Sequence, residues 1–186
     1  MKKFFLLACT ALFVISCNND SKDAKTADAP APAAETKTAD VKYDYPYTLD
    51  KPYQGWLPGD QQHAVNALKS LKAFETGDIA GAVTYFGDSV DVRFDNWEAK
   101  LSNDSLKKSF TAQRALYSSV VIKMGDWESV ISADKKEEWV TMWYKEIRTS
   151  KDGKVDSMSV ADDCKIMNGK IVVLDSKSRR IPAAKK

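Results

Sequence analysis

The sequence contains one histidine, His63, and three cysteines among 186 residues. A lone imidazole excludes a multi-histidine metal cluster, and no Gly-rich phosphate loop is present. Long apolar runs are equally scarce. The longest, residues 4–15, holds twelve residues, whereas a membrane-spanning helix needs ~20. An excess of one charge is also missing: 28 Lys+Arg stand against 26 Asp+Glu, and removal of residues 1–16 would leave 26 of each. No nucleic-acid partner is implied by that balance, and no cofactor by the motifs. With 44% apolar and 29% charged residues, the chain is neither a disordered polyelectrolyte nor a polytopic membrane protein, and one globular domain is the default.

What is present begins at the N-terminus. Lys2 and Lys3, the apolar run and the small residues after it are the three parts of a secretory signal. The run ends in Val14-Ile15-Ser16-Cys17, which resembles the bacterial lipobox, where a diacylglycerol is attached to the cysteine and cleavage leaves that cysteine first. The resemblance implies that residues 1–16 are a lipoprotein signal peptide and that Cys17 is the lipid attachment site. Two or three acyl chains at ~0.8 kcal/mol per buried methylene anchor a protein without a transmembrane helix. Residues 18–42 hold no aromatic residue and only Val41 among the large aliphatics. This Ala/Pro/Lys/Asp segment is therefore expected to stay disordered, a tether on the order of 25–30 Å long. The expected location is the bacterial cell envelope, on the periplasmic or surface face of the outer membrane.

Cys9 would leave with the signal and Cys17 would carry lipid, so Cys164 stands alone and the mature domain has no internal disulfide. No histidine lies near Cys164 in sequence, which favours a buried strand cysteine over a nucleophile.

Residues 43–59 form an aromatic, Pro-containing stretch with Tyr43, Tyr45, Tyr47, Tyr53 and Trp56, read as an extended arm. The folded domain is expected over residues 60–180. Pro58-Gly59-Asp60 predicts a turn and helix cap, followed by Ala64, Ala67, Leu68, Leu71 and Phe74 at helical spacing and a stop at Gly77. Asp78 then caps a short helix through Ala82, Val83 and Phe86, closed by Gly87, with Val90, Val92 and Phe94 alternating as a strand. A third helix starts near Ser102 and presents Leu106, Phe110 and Leu116. From there the pattern is β: residues 120–131, 137–149, 154–167 and 170–177, separated by Ala133-Asp134, Asp152-Gly153 and Asn168-Gly169. Helices first and an antiparallel meander afterwards predict an α+β fold. The strand 139–144 is apolar on both faces and needs covering twice. Residues 181–186 are read as a basic tail, and the five cations Lys177, Arg179, Arg180, Lys185 and Lys186 as solvated.

This order, with Gly77-Asp78, then Tyr85-Phe86-Gly87-Asp88-Ser89-Val90, and finally Asn168-Gly169-Lys170-Ile171, resembles the nuclear transport factor 2-like superfamily and its SnoaL-like and ketosteroid-isomerase-like branch. The resemblance covers roughly residues 60–178 and rests on the order of elements. It implies a cone-shaped, curved antiparallel sheet wrapping about three N-terminal helices around a pocket, with a homodimer through the convex face. Ketosteroid isomerases use a helix tyrosine, a strand aspartate and a base aspartate. On this chain the first position falls on Ser70, the base on Phe94 with Asp95 beside it on the opposite face, and the strand aspartate on Asp162. One of three matches.

Asp162 follows Met158 and Val160 and precedes Cys164 and Ile166 at a spacing of two, a carboxylate within an apolar strand face. A two-residue Asp152-Gly153 hairpin would place it opposite Trp143 and diagonal to Lys145, whereas a three-residue loop with Gly153 as bulge would break that pairing. Asp162 is accordingly a solvated or Lys-paired carboxylate, a polar group on a pocket wall, or a catalytic acid or base. In the last turn, a two-residue loop would set Asp175 opposite Asp162 and a three-residue loop Leu174. His63, in the first turn of the first helix, is expected to be exposed. The pocket candidates are Asp162, Trp143, Phe94, Ser70, Trp139 and Cys164. Family membership does not assign chemistry. The leading reading is a lipid-anchored, non-catalytic module for a small hydrophobic ligand or a partner. The alternative is a lyase, isomerase or hydrolase acting on a small hydrophobic substrate through Asp162.

Overall fold

The computed structural model describes residues 44–47 and 55–182. The signal segment, Cys17, the tether, Tyr43, Tyr53 and the final Lys185-Lys186 lie outside the described residues. A separate unit ends at Pro46, and its described residues 44–46 form no helix or strand.

The domain opens on β1 (Leu57–Pro58), an edge strand paired with Val130 and Ile131. This is the described end of the expected arm. Helix α1 (Gln61–Thr76) starts where Asp60 accepts a hydrogen bond from the Gln62 N–H at 2.8 Å and stops at Gly77, whose φ of 88° admits the left-handed turn. The Asp78 N–H then closes onto Ala73 O at 2.8 Å, satisfying a carbonyl the helix leaves open. Helix α2 (Ile79–Val83) is capped by the Asp78 carboxylate on Gly81 N–H at 2.9 Å. It is shorter than its sequence suggests: Phe86 and Gly87 belong to β2 (Phe86–Phe94), not to the helix. The helix end is held from outside, because Asn103 Nδ2 donates to Val83 O and Gly87 O, both at 3.1 Å.

An element absent from the expectation follows: β3 (Trp97–Ser102) pairs antiparallel with β2. Then come α3 (Asn103–Arg114), capped by Ser102, and the strands β4 (Tyr117–Ile131), β5 (Glu138–Ser150), β6 (Val155–Met167) and β7 (Lys170–Arg180). Leu116 lies beyond α3 and is exposed, rather than on the helix's buried face with Leu106 and Phe110. The sheet order is β1-β4-β5-β6-β7-β2-β3, antiparallel except where β2 joins β7 in parallel. This is the α+β arrangement the sequence predicts, with the helices packed on one face of the sheet. Strand β7 runs past the expected residue 177 to Arg180, and two of the cations expected to be solvated are paired: Lys177 with Asp163 at 2.8 Å and Asp175 at 3.2 Å, and Arg180 with Asp156 at 2.8 Å.

Two registers decide what faces what. Between β5 and β6 the loop has three residues, 151–153, closed by Ser150 N–H on Lys154 O at 2.9 Å with Gly153 at φ 84°. Met142, not Trp143, therefore stands opposite Asp162. Between β6 and β7 the Asn168-Gly169 turn has two residues, both left-handed at φ 51° and 72°. A register shift between Lys165 and Ile166 then moves every later pair by one, so Asp162 faces Ser176 while Asp163 faces Asp175.

The β2–β3 turn contains Asp95 at φ 45°, left-handed in a residue with a Cβ. Its carboxylate accepts from Ser178 N–H at 3.0 Å and Ser178 Oγ at 2.8 Å, which ties the turn to β7. Asp95→Gly loses those bonds but relieves the backbone, whereas Asp95→Ala loses both. Thermal melting is expected to order the proteins wild type, then Gly, then Ala. An Ala variant as stable as the Gly variant would show that this turn is not held in the left-handed region.

Candidate functional site

The inward residues of β5 are Val140, Met142, Tyr144 and Glu146, all buried, because a strand points alternate side chains to one face. Helix α1 turns the small residues Ala64, Ala67 and Ser70 inward, all buried, and Ala67 and Ser70 line a cavity. That cavity has a volume of about 460 Å³ and is lined by residues of the helices and of the sheet. Among its lining residues Ala67, Phe86, Phe110, Cys164 and Ile171 are buried, whereas Asp95, Asn96 and Trp97 are exposed and mark its mouth. The walls are aromatic. Phe110 meets Phe74 and Phe86 edge-on at 5.6 and 5.8 Å between centroids, and Phe94 stacks on Trp97 at 6.0 Å.

Asp162 is on this wall with only 5% of its surface exposed. Its Oδ2 accepts from the Tyr144 hydroxyl at 2.7 Å, and its Oδ1 is buried with no hydrogen-bond partner. Burial pushes the carboxyl up to about 6 from its ordinary 3.8. The hydroxyls of Ser176 and Tyr144 pull the other way, Ser176 without hydrogen-bond geometry to Oδ1, and the charges of Glu146 and Asp163 add to the rise. The same burial, followed by the Asp162 charge, holds the Tyr144 phenol well above its ordinary value. A second polar pair lies along β5: Arg148 Nη2 donates to Glu146 Oε2 at 2.7 Å, with the guanidinium 5.3 Å from the Tyr117 ring centroid. Burial is the largest influence and opposes the Arg148 charge, but the bond and charge of Glu146 together with Tyr117 outweigh it and hold the guanidinium above its ordinary range. Arg148 Nε is buried and unpaired.

The other sequence candidates divide between the two sheet faces. Ser70, Phe94 and Cys164 are on the cavity wall with Asp162. Ser70 Oγ is engaged with Ala82 O at 3.0 Å, and the Cys164 thiol is pushed up by burial, which leaves it inert. Trp143 and Trp139 are not in the cavity. The pleat sends both to the outer face, where Trp143 is 41% exposed beside Lys123, Lys145, Ala161 and Lys177. Trp139 Nε1 donates to Glu137 at 3.0 Å, and Lys165 lies 5.8 Å from its ring centroid. Lys145 shares that outer face, so it does not neutralise Asp162. Asp95 is at the turn and on the cavity mouth, not on the face opposite Phe94. His63 is 18% exposed rather than free, its Nδ1 2.7 Å from Glu138 Oε1. Among the described residues no group of three His, Cys, Asp or Glu could hold a metal. Sequence reasoning missed Tyr144 and the Glu146–Arg148 pair. The signal for both was alternation along β5 from Met142, once the register is known.

The Asp162 shift has a signed consequence. Below about pH 4 the carboxyl is protonated in the folded and unfolded chain alike. As pH rises from 4 through 6 the unfolded chain loses its proton first, and the folded state is destabilised by on the order of 3 kcal/mol once both are ionised. Asp162→Asn removes this dependence. The unfolding free energy of the variant relative to wild type, followed by urea denaturation, is expected to rise by that amount between pH 4 and pH 7. A difference that stays flat would mean that the carboxyl titrates at its ordinary value.

No protein-family model matches the chain, and no curated protein matches it in sequence. Solved structures do match. AusH from Aspergillus nidulans superposes with a TM-score of 0.54 at 15% identity, over 66% of this chain and 87% of that one. The epoxide hydrolase/cyclase-like enzyme SalBIII, described for pyran ring formation in the polyether salinomycin, gives 0.54 at 14% identity, over 64% and 92%. An NTF2-like protein of unknown function from Exiguobacterium sp. 255-15 gives 0.51 at 14% identity, over 63% and 99%. At such identities the likeness is one of fold: the chain carries the nuclear transport factor 2-like α+β cone.

Proposed function

We propose that the chain is a lipid-anchored module that holds a small, largely apolar molecule in the cavity of its cone without transforming it. The state of the buried donors supports this reading. The Tyr144 hydroxyl is engaged by Asp162, Ser70 by Ala82 O, and the Arg148 Nη2 by Glu146. Acid–base chemistry on a carbonyl or epoxide needs a positioned proton carrier and a separate donor for developing charge. Arg148 stands six residues along β5 from Met142, the partner of Asp162, roughly 20 Å of backbone, and its side chain is bound to Glu146. Apolar walls with a few orienting groups suffice for binding.

One observation favours a second reading. A wall carboxyl with its pKa near 6 is suited to proton transfer at neutral pH, which fits a lyase, isomerase or hydrolase acting on a small hydrophobic substrate, and SalBIII is an enzyme on this fold. A panel of hydrophobic ketones, enones and epoxides decides between them, with calorimetry for binding and chromatography for product. Saturable binding without product is expected. Turnover that Asp162→Asn lowers by ~10²–10⁴-fold would transfer the assignment to the second reading.

Anchoring through Cys17 in the bacterial cell envelope belongs to the proposal and rests on residues 1–17. Mass spectrometry of the mature N-terminus is expected to find acylated Cys17, and Cys17→Ser to move the protein from the detergent phase to the soluble fraction. An unmodified first residue other than Cys17 would overturn the anchor.

A homodimer through the outer sheet face is proposed as well. Exposed Val121 and Trp143 and half-buried Ile147 are the apolar part of that face, with the aromatic arm as the competing cover. Light scattering of the full chain carrying Cys17→Ser is expected to give a dimer at tens of micromolar that Trp143→Glu dissociates. A monomeric wild type would favour the arm.

A further inference from the structure

We infer that the molecule held in the cavity carries a protonated amine, which pairs with the Asp162 carboxylate on the cavity wall while its apolar body lies among the phenylalanines. The inference rests on the binding reading above and goes beyond it by giving the ligand a charge.

The first support is the orphaned oxygen. Asp162 is buried and lines the cavity, yet one of its two oxygens has no partner. A buried carboxylate with an unpaired oxygen is costly to keep, and a cation arriving in the cavity beside it would offset part of that cost. The second support is the charge on the wall. Three carboxylates, Asp95, Glu146 and Asp162, line the cavity with one cation, Arg148. Arg148 is bonded to Glu146, and Asp95 is satisfied by Ser178. What remains is Asp162, whose charged or titratable neighbours are Tyr144, Glu146, Asp163 and Cys164, none of them a cation. An anionic ligand would meet repulsion there, whereas a cation meets an uncompensated carboxylate already stripped of water by folding. The third support is the aromatic wall of Phe74, Phe86 and Phe110, which offers the apolar body of such a molecule a surface to bury. The ammonium must still shed its own hydration, and a charge-assisted bond to a waiting acceptor is what compensates it.

The experiment titrates the full chain at neutral pH with three molecules of matched shape: 1-naphthylmethylamine, 1-naphthalenemethanol and 1-naphthoate. The amine is expected to bind roughly 10–100-fold more tightly than the alcohol, and the carboxylate least. Asp162→Asn, with its fold checked by circular dichroism, is expected to bring amine and alcohol together. If that variant does not fold, the wild-type ratio of amine to alcohol decides alone. An alcohol that binds as well as the amine overturns the inference and leaves the binding reading standing. If none of the three binds at millimolar concentration, both fall.

Discussion

Which side chains of β5 and β6 stand level is set by one left-handed residue, Gly153, and much else in the domain follows from that register. Because the loop before β6 has three residues, Met142 and Asp162 form a pair and Tyr144 sits one inward step away, within reach of the carboxylate. A loop one residue shorter would have set Trp143 against Asp162, sending the carboxylate and the indole to the same face. The cavity would then have lost one of its two buried carboxylates, Glu146 being the other.

A carboxylate in that position is destabilising for the fold, and the surroundings reduce the penalty only in part. Tyr144 supplies one short hydrogen bond, while the adjacent inward residue, Glu146, is itself an acid and is neutralised by Arg148. Sheet geometry explains why no lysine helps. The nearby lysines, Lys145, Lys165 and Lys177, occupy outward positions, where they pair with acids or flank tryptophans. The pleat thus separates a cation-rich outer surface from an acid-containing interior. Natural folds retain such unfavourable groups chiefly where a ligand or a reaction makes use of them.

The elements were largely legible because their signals are local. Asp60, Gly77, Asp78 and Ser102 cap helices by side-chain or backbone chemistry that needs no tertiary contact, and the four long strands announce themselves by alternation between turn residues. The hairpin of β2 and β3 had a readable signal as well: Asp95-Asn96 separates Val90, Val92 and Phe94 from Trp97, Ala99 and Leu101 at spacing two. What the sequence could not reveal was register. The irregularity near Lys165 leaves no compositional trace, yet it exchanges Asp175 for Ser176 opposite Asp162. The placing of Trp139 and Trp143 depended on the same parity, and so did the pairing of His63 with Glu138, which needs β5 to pass the start of α1.

The parallel junction between β2 and β7 joins the first long strand to the last. Its pairs, such as Phe94 with Ser176, connect residues from opposite ends of the domain, so loop-closure entropy is met late and contact order is high. During synthesis β2 and β3 emerge with no sheet to join, and they remain an isolated hairpin until the final strand is made. The Asp95–Ser178 bonds at the cavity mouth span the same junction and form only then. The cavity therefore needs β7, which supplies Ile171, Leu174, Ser176 and Ser178 to its lining, and a fragment that stops before residue 170 lacks that wall.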